Sequence, residues 1–231
     1  MHPDYHKVYM FHEAFDLTYH NSPDSDALRN ERLISLRLGL INEEFKEFQQ
    51  AFDKHDLTGM IDALADTIYV VYGTGVSFGI ELCPYPIDRP RLSMQIKSFI
   101  DRMDKLIDDL TQQLKTDCHV DPLRETLNHM LTLNYGMGYV LGVDMSVAFD
   151  LVHQSNMTKL CNSEQEATES VNWYLMNEIN RYDTPAWKKS KDDKYWIIYN
   201  RSTGKVLKNI HYRPVDLTQI PIDSNAVTYL K

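Results

Sequence analysis

The chain has 231 residues, 33 acidic against 24 basic side chains for a net charge of −9, and 43% hydrophobic and 25% charged residues, the balance of a folding globular chain and not a disordered one. That length holds one large domain or a core with an elaboration, and the acidic excess argues against a protein held to nucleic acid by a basic surface. No apolar run reaches the roughly 18 residues of a membrane span, and MHPDYHKVYMFHEAF lacks the basic flank and apolar run of a secretion signal, so the expectation is a cytoplasmic protein with no membrane and no stable nucleic-acid partner.

The spacing predicts a short helix over Val8 to Tyr19, and NSPDSD after it reads as a loop with capping side chains. A long helix follows from Ala27 to Phe52, where Leu33, Leu36, Leu40, Glu44, Glu47 and Ala51 recur at steps of three or four. DKHDLTG then supplies a turn before MIDALADTIYVVYGTGVSFGI. The β-branched residues there leave a strand alternative for IYVVYGTGV, but the stripe Asp62, Asp66, Tyr69, Gly73 favours a second, mostly buried helix. Prolines at 84, 86 and 90 mark an internal boundary. Residues 92 to 117 have the pattern of a surface amphipathic helix with Ile96, Ile100, Met103, Ile107, Leu110 and Leu114 on one side, and a further helix is expected with Asp121 as its cap and Pro122 as its first residue.

A weak repeat, Y-G-x-G-x-x-x-G, links Tyr72 to Tyr135; it fits two tightly packed helices with similar small-residue faces, or a helix end displaced by an insertion. DMSVAFDLVHQSNMTKL and EQEATESVNWYLMNEI read as two more helices. KYWIIYN and KVLKNI flank RSTG and predict a small β-hairpin within 192–217, and the final segment reads as irregular. The three cysteines, Cys83, Cys118 and Cys161, are scattered and suggest neither a disulfide framework nor a thiolate zinc site.

The strongest chemical signal is a set of carboxylates. Glu44 and Glu47 are three apart and Asp62 and Asp66 four apart, so each pair projects from one side of its own helix, and an antiparallel pairing of those helices lets both pairs converge with Glu43 beside them. Carboxylates gathered in an apolar layer repel and resist desolvation, whereas a divalent cation turns their oxygens into ligands, Mg²⁺ first and Mn²⁺ as an alternative. A solvent-facing charge cluster is the competing explanation, but it has to expose Leu40, Ala51 and Tyr69, which share those stripes.

INEEFKEFQQAFDKHDLTGMIDALADTIYVVYGT, followed by VHQSNMTKL and GKVLKNIHYRPVDL, resembles the all-α nucleotide pyrophosphohydrolases of the MazG and phosphoribosyl-ATP pyrophosphohydrolase superfamily, especially phage-type members. The resemblance covers roughly residues 8–80 and 135–217. Glu43, Glu44 and Glu47 match its E-E-x-x-E signature and Asp66 the terminal aspartate of its second motif, while that motif's usual glutamate falls at Ala63 with Asp62 one residue away. It implies an all-α helical bundle forming one domain over 1–231, with a helical insertion at 81–134 and a β-hairpin tail. It also implies Mg²⁺-dependent cleavage of a nucleoside triphosphate between the α- and β-phosphates, in a homodimer or homotetramer. In that scheme Glu44, Glu47, Asp62 and Asp66 hold metal, Glu43 ligates or orients the attacking water, and Asn156 and Lys159 hold substrate.

Weaker signals stay two-sided. Lys205, Lys208 and Arg213 either close over phosphates or belong to a solvated hairpin, with Tyr212 contacting a base or packing its apolar body. Phe11, Phe15, Tyr69 and Tyr72 line a nucleobase pocket or pack in the core. His12, His153 and His211 lack zinc-ligand spacing, and GTGVSFG lacks the lysine and hydroxyl of a phosphate loop. The competing function is a non-catalytic helical homo-oligomer that binds nucleotides or serves as a scaffold.

Overall fold

The computed structural model describes residues 1–88, 94–116 and 119–223. Two side-chain caps set its central hairpin. Asn30 accepts from the Leu33 N–H (3.1 Å) and starts α2 at Glu31–Asp53; Asp56 accepts from the Gly59 N–H (2.9 Å) and starts α3 at Leu57–Phe78. Between them His55 takes a left-handed backbone (φ 54°), which reverses the chain within three residues. The long helix expected from Ala27 therefore begins after a separate 3₁₀ turn at Ala27–Arg29, because the Asn30 side chain caps the helix proper.

α3 is buried on almost every side, which resolves its β-branched stretch as helix: helices pack around it, and among the described residues no strand pairs beside it. It packs against α2, against α1 (Pro3–Ala14), and against α5 (Val120–Val140) and α6 (Met145–Met157). α1 starts five residues earlier than Val8 because Pro3 is pre-set for a first helical turn, and Asp16, at φ 47°, marks where the chain has turned away. The cap expected at Asp121 also moves: α5 starts at Val120 behind His119, leaving Asp121 and Pro122 inside the first turn, where a carboxylate complements the exposed N–H groups.

Within 81–134, α4 (Ile96–Lys115) buries Ile96, Phe99, Met103, Ile107, Leu110 and Leu114, packing on α2 and α5. The Phe99 ring stands 4.9 Å from Phe48 and 6.4 Å from Phe45 of α2. The two copies of the glycine repeat face one another, with the Tyr72 and Tyr135 hydroxyls 3.4 Å apart. Their glycines also serve other neighbours: a Cβ at Gly73 would collide with the Arg37 guanidinium, and one at Gly138 with Met145. Cys83 and Cys161 are free thiols; Cys118 and residues 224–231 lie outside the described residues.

α7 (Glu164–Asn177) packs on a two-stranded antiparallel sheet of β1 (Pro185–Lys189) and β2 (Trp196–Asn200), with Trp187 opposite Ile198. The hairpin thus lies one strand earlier than expected. KYWIIYN pairs with the upstream PAWKK, and KVLKNI, beyond the turn at Gly204 (φ 78°), returns through one isolated bridge between Tyr199 and Val206, in which the Leu207 N–H donates to the Ile198 carbonyl and the Asn200 N–H to the Lys205 carbonyl (both 2.9 Å). Asn209 takes this segment elsewhere, donating to the carbonyls of Thr158 (3.0 Å) and Leu160 (2.9 Å) just past α6.

Candidate functional site

α2 and α3 run antiparallel, so residues approaching the end of one face residues near the start of the other. Glu43, Glu44 and Glu47 of α2 and Asp62 and Asp66 of α3 thereby line one side of a cavity of about 770 Å³. Other parts of the lining come from distant sequence. Asn156 is on α6 and Lys159 follows it, while Lys205, Lys208 and Tyr212 belong to the segment that Asn209 pins to the same place. A second tie is Ser155, whose hydroxyl donates to the Arg213 carbonyl (2.8 Å) and meets the Tyr212 hydroxyl (2.8 Å). The Lys208 ammonium sits 4.6 Å and that of Lys159 5.9 Å from the centre of the Tyr212 ring, so the ring holds both cations near the carboxylates.

Packing carboxyl groups together makes them hard to ionise. Burial first, then Asp66, Glu47 and Glu43, push the Glu44 carboxyl up to about 9. Burial and then Asp62 push Asp66 up to about 7, with Lys159 opposing. Asp62 is raised by burial and by Glu47. Burial pulls the Lys159 ammonium down to about 8 against the attraction of Asp66. Protons on Glu44 and Asp66 belong to the pair, because each carboxyl's charge penalises the other's.

Glu43 differs from its neighbours, since it is already neutralised by ion pairs with Lys205 and, at 3.5 Å, with Arg181. Asp62 shows the opposite condition: its Oδ1 is buried without a hydrogen-bond partner. Ala63, where the family pattern has a glutamate, is packed into the core, and Asp62 is the neighbour that reaches the cavity. Among the described residues, no three His, Cys, Asp or Glu side chains are arranged to chelate one ion as they stand. The donor set nonetheless fits a hard divalent cation: all oxygen, with one buried oxygen unpaired and carboxyls that a cation would let ionise.

Of the side chains singled out from the sequence, Glu43, Glu44, Glu47, Asp62, Asp66, Asn156, Lys159, Lys205, Lys208 and Tyr212 line the same cavity. Phe11, Phe15 and Tyr69 line it too, whereas Tyr72 stays in the core, its hydroxyl meeting His2 and Tyr135. Arg213 is not part of the lining. Sequence reasoning missed Arg181 and Arg37. Arg181 carries no local signal, lying in a polar stretch after α7. Arg37 had one: a charged residue three before Leu40 on an otherwise apolar helix stripe.

Residues 8–85 match the family described as phosphoribosyl-ATP pyrophosphohydrolase. Over 204 residues the chain is 30% identical to an uncharacterised protein of Acanthamoeba polyphaga mimivirus, an alignment covering 80% of this chain and 81% of that one. No solved structure matches it significantly.

Proposed function

The chain belongs to the MazG-like, phosphoribosyl-ATP pyrophosphohydrolase family, and from that premise we propose that it is a Mg²⁺-dependent nucleoside triphosphate pyrophosphohydrolase, with Mn²⁺ as an alternative cation. Water and a nucleoside triphosphate give a nucleoside monophosphate and pyrophosphate. The observation that carries the reading is the gathering, in one cavity, of the carboxyls of α2 and α3 with Lys159, Lys205 and Lys208. A metal-phosphate substrate is the kind of ligand that satisfies both sets of charges at once.

In this proposal Glu44, Glu47, Asp62 and Asp66 hold the cation. When bound, it lowers the pKa of a water and stabilises charge on phosphoryl oxygens. The chain's own groups do the rest. Lys159 and Lys208 neutralise phosphate charge, Asn156 orients a phosphoryl oxygen through its amide, and Tyr212, already stacked on both ammonium groups, holds them in place. Glu43 orients or accepts a proton from the attacking water once phosphate competes for Lys205 and Arg181. No serine or cysteine nucleophile is needed, because the attacking group is water.

The test is hydrolysis in ¹⁸O-labelled water with Mg²⁺. The label is expected in one product only, the bridging α–β oxygen staying with the other, and Glu47→Gln is expected to lower the rate by at least the roughly 10–100-fold typical of losing even a supporting metal contact. Equal rates for the parent and Glu47→Gln would sink the assignment.

A further inference from the structure

The end of the cavity away from the carboxylates holds a cation that none of these steps uses. Arg37 stands on the same face of α2 seven residues before Glu44, about 10 Å along the axis, and opposite Gly73 and Thr74 of α3. Its side chain is only 5% exposed. Nε donates to Thr74 Oγ1 (3.3 Å) and Nη2 to the Val70 carbonyl (2.8 Å). Two neutral acceptors do not exhaust the five N–H donors of a guanidinium. Burial pulls Arg37 down to about 9, and among the described residues no carboxylate offsets that cost. The absence of a Cβ at Gly73 makes the space it fills.

His12 of α1 stands against the same glycine. Its Nδ1 lies 2.8 Å from the Thr18 carbonyl, which can only accept, so Nδ1 carries the proton. Burial and the neighbouring Arg37 keep the ring neutral. Nε2 is therefore a bare acceptor beside a bank of donors. Phe11, Leu40 and Tyr69 line the same cavity, Leu40 lying between Arg37 and Glu44 on α2 and Tyr69 between Asp66 and Gly73 on α3, and the rise of about 10 Å from Arg37 to Glu44 is comparable with the reach of a nucleoside from base edge to phosphate.

Resting on the nucleotide-binding reading above, we propose that Arg37 and His12 read the base, selecting those with a carbonyl beside a ring N–H, namely guanine, hypoxanthine, uracil and thymine. The guanidinium donates to the carbonyl oxygen and His12 Nε2 accepts from the ring N–H. Adenine has no carbonyl for Arg37, and cytosine has no ring N–H beside its carbonyl for His12. Either mismatch leaves a buried polar group unpaired, which a site built for hydrogen bonding discriminates against.

The experiment is calorimetric binding, with Mg²⁺ present, of the non-hydrolysable α,β-methylene triphosphates of deoxyguanosine, deoxyuridine, deoxyadenosine and deoxycytidine. The first two are expected to bind roughly 10- to 100-fold tighter, the discrimination typical of one well-formed pair of base contacts. Arg37→Gln is expected to erase that difference and Arg37→Lys to narrow it, with thermal unfolding used to check that each variant folds. Equal affinity for all four in the parent, binding of none, or an unchanged preference in folded Arg37→Gln would overturn the inference. If Arg37→Gln does not fold, the parent comparison still decides. A base preference in binding without pyrophosphate release from the natural triphosphates would instead refute the catalytic reading and leave base selection standing.

Discussion

Asp62, Glu44 and Asp66 share one energetic problem: each ionised carboxyl in the cavity raises the cost of ionising the next. The folded values lie above the unfolded ones, so the folded chain binds more protons than the unfolded chain between about pH 4 and about pH 9. Stability is therefore fully present below the unfolded values and is lost as pH rises through about 7 and then about 9. Lys159 opposes this trend only above its folded value of about 8. The metal-free protein is expected to show a melting temperature that falls from pH 5 to pH 9, and Glu44→Gln to flatten the fall and melt higher at the alkaline end. Parallel curves for parent and variant would contradict this origin of the pH dependence. On the proposed metal site, added Mg²⁺ is expected to raise the melting temperature most at alkaline pH, since a cation held there would bind the ionised form of the carboxyls.

The elements divide by how local their determinants are. Helix periodicity and caps are local, and α2 to α7 lie close to where apolar spacing places them. Strand pairing is not local: KYWIIYN has strand-forming residues on both sides, and it pairs along its length with PAWKK while KVLKNI keeps one bridge before Asn209 ties it to the end of α6. Arg181 reaches Glu43 across 138 residues, a contact no spacing rule carries. α4 shows the reverse, because its stripe predicts a buried face without saying what covers it. Phe45, Phe48 and Phe99 supply the answer. Phe99→Ala removes a fully buried ring there and is expected to cost about 3–5 kcal/mol, read as a lower urea midpoint. A change below about 1 kcal/mol would mean that α4 is peripheral to the bundle's stability.

Across the whole molecule, the hairpin of α2 and α3 supplies an acidic wall, and the end of α6 with the segment after the sheet supplies a basic one. The acidic wall is legible because its residues sit at helical spacing within one 34-residue stretch. The basic wall is legible only in part. Lys159 and Lys208 stand out as residue types, but what brings them together is the backbone ties made by Asn209 and Ser155. The net charge of −9 thus coexists with a local cavity where lysines face carboxyls, the pairing a metal-bound polyphosphate would complete. The most direct measurement is quantification of products from a panel of nucleoside triphosphates incubated with the protein, with and without Mg²⁺. Monophosphate and pyrophosphate appearing in equal amounts only when the cation is present is the predicted result; orthophosphate and diphosphate as products, or no turnover of any triphosphate, would contradict it.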